Sequence, residues 1–371
     1  MRHWETPRSQ RLLPLDALRG LLMVLMALDH ANALVAHGKL VPELWVGTFP
    51  DYRGDSLLFM TRFVTHLAAP GFFFLMGAGM ILFASSRHER GWTGWRIVRH
   101  FLLRGAVLIM LQFTLENAAW KLGEGLDVTY VGVLFALGGA MALGSLLLSF
   151  PTGVQLTLGT VLIAGTEILL PKSGSAVVQY SPLLRLWLIP GYTDGIYALY
   201  PIMPWLGVTV LGMAYGRWLQ RQPQRALRTV PILAMVALMS FVVVRALNGF
   251  GNIRPVHGAD WIAFLNLVKY PPSIVFLLMA LGLDGLLLGV LVLVQGWIAH
   301  GLAIFGRAPL FFYLAHLYLY ALLGLLISPN GTPVRMMYPY WLLGLIILFP
   351  LCWVFGPFKQ ARSAESWWRL F

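Results

Sequence analysis

The chain divides into apolar stretches about as long as a bilayer is thick, and this constrains its fold more than any motif does. About twenty consecutive apolar residues cross the hydrocarbon core as an α-helix. No water there satisfies the backbone, so each stretch takes the form that bonds its own N–H and C=O groups. Ten such stretches occur, at about 12–35, 58–84, 101–120, 128–149, 153–170, 198–218, 229–247, 271–295, 302–327 and 341–357. Only 11% of the 371 residues are charged and 58% are hydrophobic, whereas a soluble domain carries about 25% charged residues. The expectation is an all-α, polytopic integral membrane protein, with about ten transmembrane helices around a polar cavity and residues 1–371 forming one transmembrane domain.

The net charge of +12 sits in the loops, where it reads as an orientation signal and not as nucleic-acid binding. Arg2, Arg8 and Arg11, the loop with Arg87, Arg90, Arg96 and Arg99, the loop with Arg217, Arg221, Arg225 and Arg228, and the C-terminal Lys359, Arg362 and Arg369 are the richest in Arg and Lys. With ten spans all four fall on one side, the cytoplasm, as do both termini. The first apolar stretch has the look of a signal peptide, but Asp16, Arg19 and Asp29 spoil an apolar signal core, so it is kept as a span. The single Cys352 excludes an intrachain disulfide. No metal-ligand cluster, Gly-rich phosphate loop or nucleophile elbow is present, and no metal or tightly bound cofactor is expected.

Polar residues inside the spans carry the functional signal. A mid-membrane Arg or Asp costs about 2.5–3.5 kcal/mol on insertion scales, so such groups face a protein interior or a wet cavity. In the first span Asp16, Arg19 and His30 fall within about 60° of one another on one helix face, with Asp29 beside His30 but off that stripe. Arg19 and His30 lie roughly 16 Å apart along the axis. The second span brings Arg62 and His66 one turn apart on a shared face. Glu116 and Asn117 stand near the outer end of the third span. The sixth opens with Tyr200-Pro201-Ile202-Met203-Pro204-Trp205, the eighth with Lys269-Tyr270-Pro271-Pro272-Ser273, and the ninth holds Arg307, Tyr313 and His316. The plainer readings are headgroup anchoring for Lys269 and Arg307, an ion pair for Asp16 and Arg19, and a backbone hydrogen bond for His316.

Arg19-x10-His30 resembles the signature of membrane acyltransferases of the acyltransferase-3 type. The frame Leu15-Asp16-Ala17-Leu18-Arg19-Gly20 resembles the first span of heparan-α-glucosaminide N-acetyltransferases and their short bacterial relatives. Thr61-Arg62-x-x-Thr65-His66-x-x-Ala69-Pro70, Tyr200-Pro201-x-x-Pro204-Trp205, Lys269-Tyr270-Pro271-Pro272-Ser273 and Gly306-Arg307-x-Pro309-Leu310-Phe311-Phe312-Tyr313-x-x-His316 are similar to further blocks of those bacterial relatives. The resemblance implies a ten-span core in a bacterial inner membrane. It would take an acyl group, acetyl above all, from cytoplasmic acyl-CoA to a hydroxyl or amine of a carbohydrate or glycan at the outer face.

Placed in that frame, His30 is the expected general base, or the nucleophile of a ping-pong route through acyl-His, with Asp29 or Asp16 stabilising its imidazolium and Arg62 or His66 near the developing oxyanion. Arg19, Arg99, Arg104 and Arg217 are the candidates for the donor's phosphates. Glu116, Asn117, Trp205, Lys269, Tyr270, Ser273, Arg307, Tyr313 and His316 are the candidates for acceptor binding. The expected partners are acyl-CoA, the glycan acceptor and the lipid bilayer, and a homodimer is compatible with the architecture. A transporter, or a non-catalytic sensor or assembly protein, would also carry buried charges and broken helices. A transporter of that kind would show inverted internal symmetry, and none is evident.

Overall fold

The computed structural model describes residues 12–36, 41–171, 179–294, 296–362, 366 and 368; Arg2, Arg8, Arg11 and Arg369 lie outside them. In chain order the helices are α1 (Leu13–Leu34), α2 (Ser56–Thr65), α3 (Ala68–His88), α4 (Gly94–Leu111), α5 (Asn117–Glu124), α6 (Val133–Ser145), α7 (Thr152–Leu169) and α8 (Pro182–Trp187). They continue with α9 (Ile202–Arg221), α10 (Pro223–Leu247), α11 (Trp261–Leu265), α12 (Ile274–Leu293), α13 (Trp297–Arg307), α14 (Pro309–Ile327) and α15 (Val334–Ala361). Among the described residues eight helical segments are long and apolar enough to cross a membrane. Between them pack the short apolar α6 and the 20-residue α9, most of whose residues from Met203 to Gly216 are buried. All ten expected stretches are therefore helical.

Three of them are broken where continuous spans were expected. The second divides into α2 and α3 around His66. The third passes through a π-helical turn, Gln112–Glu116, between α4 and α5, a deformation frequent at functional sites. The ninth breaks between α13 and α14, where Pro309 supplies no N–H and restricts the residue before it. The fourth is shorter than the apolar run implied, because α6 begins only after an extended Gly132.

Close helix contacts fix the directions of the helices. A Cβ on Gly77 would run into the Thr209 carbonyl, and one on Gly212 into that of Phe74. With Gly216 against Ala78, α3 and α9 run parallel. Gly20 and Gly306 meet each other's backbones in the same way, so α13 lies directly on α1. Side by side at backbone distance, these helices gain dispersion contacts that larger residues would forbid. Gly282 on Leu238 and Gly289 on Pro231 make α12 antiparallel to α10.

One end of the bundle carries the Arg-rich turns. Over the other end lies a small sheet of β1 (Thr129–Val131), β2 (Gly191–Thr193) and β3 (Ile196–Ala198), ordered β1-β3-β2, with β1 parallel and β2 antiparallel to β3. The Gln112 and Asn117 side chains hold β1 to the π-helical turn, both donating to the Tyr130 carbonyl at 3.1 and 3.0 Å. The segment after α1 crosses the same end. There the backbone N–H groups of Lys269 and Tyr270 both donate to the Glu43 carbonyl, and Trp45 N–H donates to that of Tyr270. Arg245 organises the loop beyond α10 by donating to the Phe264, Ala263 and Asn266 carbonyls and to Asn252 Oδ1.

Candidate active site

The first helix carries charge at two depths. Toward the Arg-rich end, Arg19 Nη1 donates to Asp16 Oδ1 at 3.0 Å and to the Gly306 carbonyl at 3.2 Å, a group freed by the α13–α14 break. Arg307 Nε approaches Asp16 Oδ2 at 3.6 Å. About three turns further on, Asp29 and His30 stand beside α2 and α14. Arg62 Nη1 donates to Asp29 Oδ1 at 2.6 Å, while its Nε and Nη2 grip both oxygens of Glu43 at 2.7 Å each. Thr65 Oγ1 adds a bond to Asp29 Oδ1, and His66 Nε2 lies 3.3 Å from Glu43 Oε1.

Glu43 lies in the segment between α1 and α2 and is completely buried. Burial pushes its carboxyl up, but the Arg62 and His66 charges outweigh that and hold it well below the usual carboxylate range. Two carboxylates thus face Arg62 and the buried Lys269, whose ammonium lies 5.2 Å from the Tyr270 ring centroid. Such a balanced set can stay charged away from bulk water.

His30 has a different partner from the one its sequence neighbour suggests. Its Nδ1 is 2.6 Å from His316 Nε2, while His316 Nδ1 is 2.8 Å from the Phe312 carbonyl oxygen. A carbonyl only accepts, so His316 carries its hydrogen on Nδ1 and offers a lone pair on Nε2. His30 must then donate through Nδ1, and in the neutral pair its own lone pair is on Nε2. No described residue bonds that nitrogen, and the ring lines a cavity of about 320 Å³. Trp120 and Tyr313 hold the ring edge-on at 5.3 and 6.2 Å, and His316 lies nearly coplanar with it, in line with the hydrogen bond, at 4.9 Å between centroids. Asp29, Arg62, Asn32 and Glu124 share the cavity wall with Trp120, Tyr130, Tyr197, Tyr200 and Tyr270.

The other candidates sort by position. Tyr270 lines the cavity, and its hydroxyl is 3.3 Å from that of Tyr200. Glu116 is buried, with Oε1 against Gly132 and Oε2 without a hydrogen bond. Asn117 is committed to the Tyr130 backbone. Trp205 is a fully buried core residue stacked on Phe73, and Ser273 caps α12 by accepting from Phe276 N–H. Arg307 belongs with Asp16 and Arg19 and not with the cavity. Arg104 lies close enough to Arg19 for their charges to interact. Arg99 is exposed, and Arg217 Nη2 donates to the Leu148 carbonyl at the turn after α6.

The residues that sequence reasoning missed are Glu43, Asn32, Trp120, Glu124, Tyr130, Tyr197 and, as a wall residue, Tyr200. Charge balance offered one clue to Glu43. Arg62, His66 and Lys269 together need more anion than Asp29 supplies. The tyrosines of β1 and β3 gave no such sign, because they read as membrane-interface residues.

The fold defines a multi-pass, predominantly helical membrane protein. The chain belongs to the family described as heparan-alpha-glucosaminide N-acetyltransferase, catalytic, whose model matches residues 11–249, more than half of its length. No curated protein matches it. The matched part includes Asp16, Arg19, Asp29, His30, Arg62 and His66, whereas Lys269, Arg307 and His316 lie beyond it.

Proposed function

We propose that the protein transfers an acyl group, acetyl in the simplest case, from cytoplasmic acyl-CoA to a hydroxyl or amine of a carbohydrate acceptor at the outer face of a bacterial inner membrane. The observation that carries this reading is the hydrogen-bond chain from the Phe312 carbonyl through His316 to His30, which leaves a lone pair on His30 Nε2 in a tyrosine-lined cavity. Tyrosine and tryptophan rings offer flat apolar faces with polar rims, which suits the faces and hydroxyls of a sugar ring.

The acceptor's O–H or N–H gives its proton to Nε2 as the oxygen or nitrogen attacks the thioester carbonyl. The resulting imidazolium keeps its Nδ1–H bond to His316 and gains the field of Asp29 next to it in the chain. Arg62 uses three of its five N–H groups on Glu43 and Asp29, leaving two for the tetrahedral oxyanion. As that intermediate collapses the carbon–sulfur bond breaks, and the imidazolium proton goes to the departing thiolate. The donor would enter from the Arg-rich side, cytoplasmic by the positive-inside rule, past Arg19.

The test is sided. Purified protein in proteoliposomes, given acetyl-CoA at the Arg-rich face and an amino or neutral sugar at the other, should release free thiol and form an acetylated sugar. Acetyl-CoA binding without thiol release for any such acceptor would contradict the reading, and sugar uptake without acetylation would make the protein a transporter.

A further inference from the structure

We infer that the elbow between α9 and α10 binds an anionic phospholipid, with its phosphate on Arg225 and Arg228 and its acyl chains along the face of α10 below them. The site is independent of the acyltransferase reading. α9 ends at Arg221 and α10 begins at Pro223, so a single residue, Gln222, makes the turn. Pro223 has a fixed φ and no N–H, which suits the first position of a helix. The turn borders a cleft of about 540 Å³, lined by Gln222, Pro223, Gln224, Arg225 and Arg228.

No carboxylate answers this charge. Arg225 and Arg228 are exposed, and among the described residues neither side chain has an ion pair or a hydrogen bond. Arg217 and Arg221, toward the end of α9, add two cations close enough for their charges to oppose each other. Other arginines at this end of the bundle are engaged within the protein. Arg87 and Arg96 lie 5.3 and 4.4 Å over the Trp92 ring, and Arg217 donates to the Leu148 carbonyl. Arg225 and Arg228 stand one helical turn apart, so both guanidinium groups can grip one phosphate.

The helix below the arginines tells a lipid from a soluble phosphate. At about 100° per residue, Ile232, Met235, Val236, Met239 and Val243 fall within the same sector of about 100° as Arg225 and Arg228. Each of these five is at least half exposed, so the described residues leave the stripe largely uncovered. From Arg228 to Met239 is roughly 16 Å along the axis, about one leaflet of a hydrocarbon core about 30 Å thick. A cationic cleft followed by an apolar stripe matches an anionic head followed by acyl chains. A bare phosphate or a nucleotide has no use for the stripe.

The test titrates full-length protein in detergent, at fixed salt, with dioleoyl phosphatidylglycerol or dioleoyl phosphatidylcholine and reads bound lipid by native mass spectrometry. Wild type should hold one phosphatidylglycerol about 10-fold or more tightly than phosphatidylcholine. Arg225→Gln and Arg228→Gln should each weaken phosphatidylglycerol by about 5-fold and the double variant by about 30-fold, with phosphatidylcholine unchanged. Arg228→Lys keeps the charge and should lose less than Arg228→Gln. Arg90→Gln removes an exposed cation from another turn at this end and should change nothing. Thermal melts confirm that each variant is folded. Equal retention of the two lipids by wild type, wild-type retention by the double variant, or an equal loss in Arg90→Gln would overturn the site and leave only diffuse attraction to a basic face. Displacement of phosphatidylglycerol by inorganic phosphate or by acetyl-CoA at similar concentration would make the cleft a site for soluble phosphates and also overturn it.

Discussion

His316 acts on the chemistry only through His30, which makes its replacement the most informative perturbation. His316→Ala removes the acceptor 2.6 Å from His30 Nδ1 together with the coplanar ring that carries it. His30 is then free to keep its proton on either nitrogen, and the form protonated on Nε2 cannot accept from the acceptor group. A donor left without a partner in a partly buried site costs about 1–3 kcal/mol. At 1.4 kcal/mol per tenfold, that is a drop of roughly 5- to 150-fold in kcat. His316 is fully buried and bonds to the Phe312 carbonyl and to His30, some three turns along α1 from Arg19, so KM for acetyl-CoA should not move. His316→Gln offers an amide oxygen at similar reach and should recover most of the rate. The double variant with His30→Ala should be no slower than His30→Ala alone, because deletions within one catalytic unit do not add. The assay is steady-state thiol release, with thermal melts to confirm folding. A folded His316→Ala enzyme at the wild-type rate, or a Gln variant as slow as Ala, would refute the hydrogen-bond chain as the device that sets the tautomer.

Two further outcomes follow from the same geometry. Glu43→Gln leaves Arg62 and His66 short of a buried anion and should destabilise the fold by about 3–5 kcal/mol, read as a lower melting temperature. Because the Glu43 carboxyl is held well below its ordinary value of 4.5, its contribution is fully present above that pH and is lost as pH falls below it. Wild type should therefore lose melting temperature on acidification below that value, and Glu43→Gln should lose less. For topology, cysteines placed at Gly54 and Gly331 should react with an impermeant reagent from outside intact cells, while one at Gln222 should not. The native Cys352 is buried and gives little background. Equal labelling at Gly54 and Gln222 would overturn the orientation.

The spans were legible because twenty apolar residues in lipid have one backbone solution, and the Arg-rich loops already shared a side. The breaks were less so. Pro309 marked one, whereas the π-helical turn at Gln112–Glu116 reads as ordinary helix in hydropathy. The Asp16–Arg19 pair was visible as a three-residue spacing on one helix. The link between His30 and His316 was not, since 286 residues separate them and only the packing of α1 against α14 brings them together. Asp29, adjacent in sequence, looked like the partner of His30. A one-residue step turns a helical side chain by about 100°, and Asp29 goes to Arg62 instead.

The central claim is that His30 Nε2 takes the acceptor's proton, and turnover of acetyl-CoA by folded His30→Ala protein tests it most directly. The account predicts a loss of about 10²–10⁴-fold in thiol release with acetyl-CoA affinity nearly unchanged. Wild-type turnover by that variant would contradict it and move the base elsewhere, His66 first.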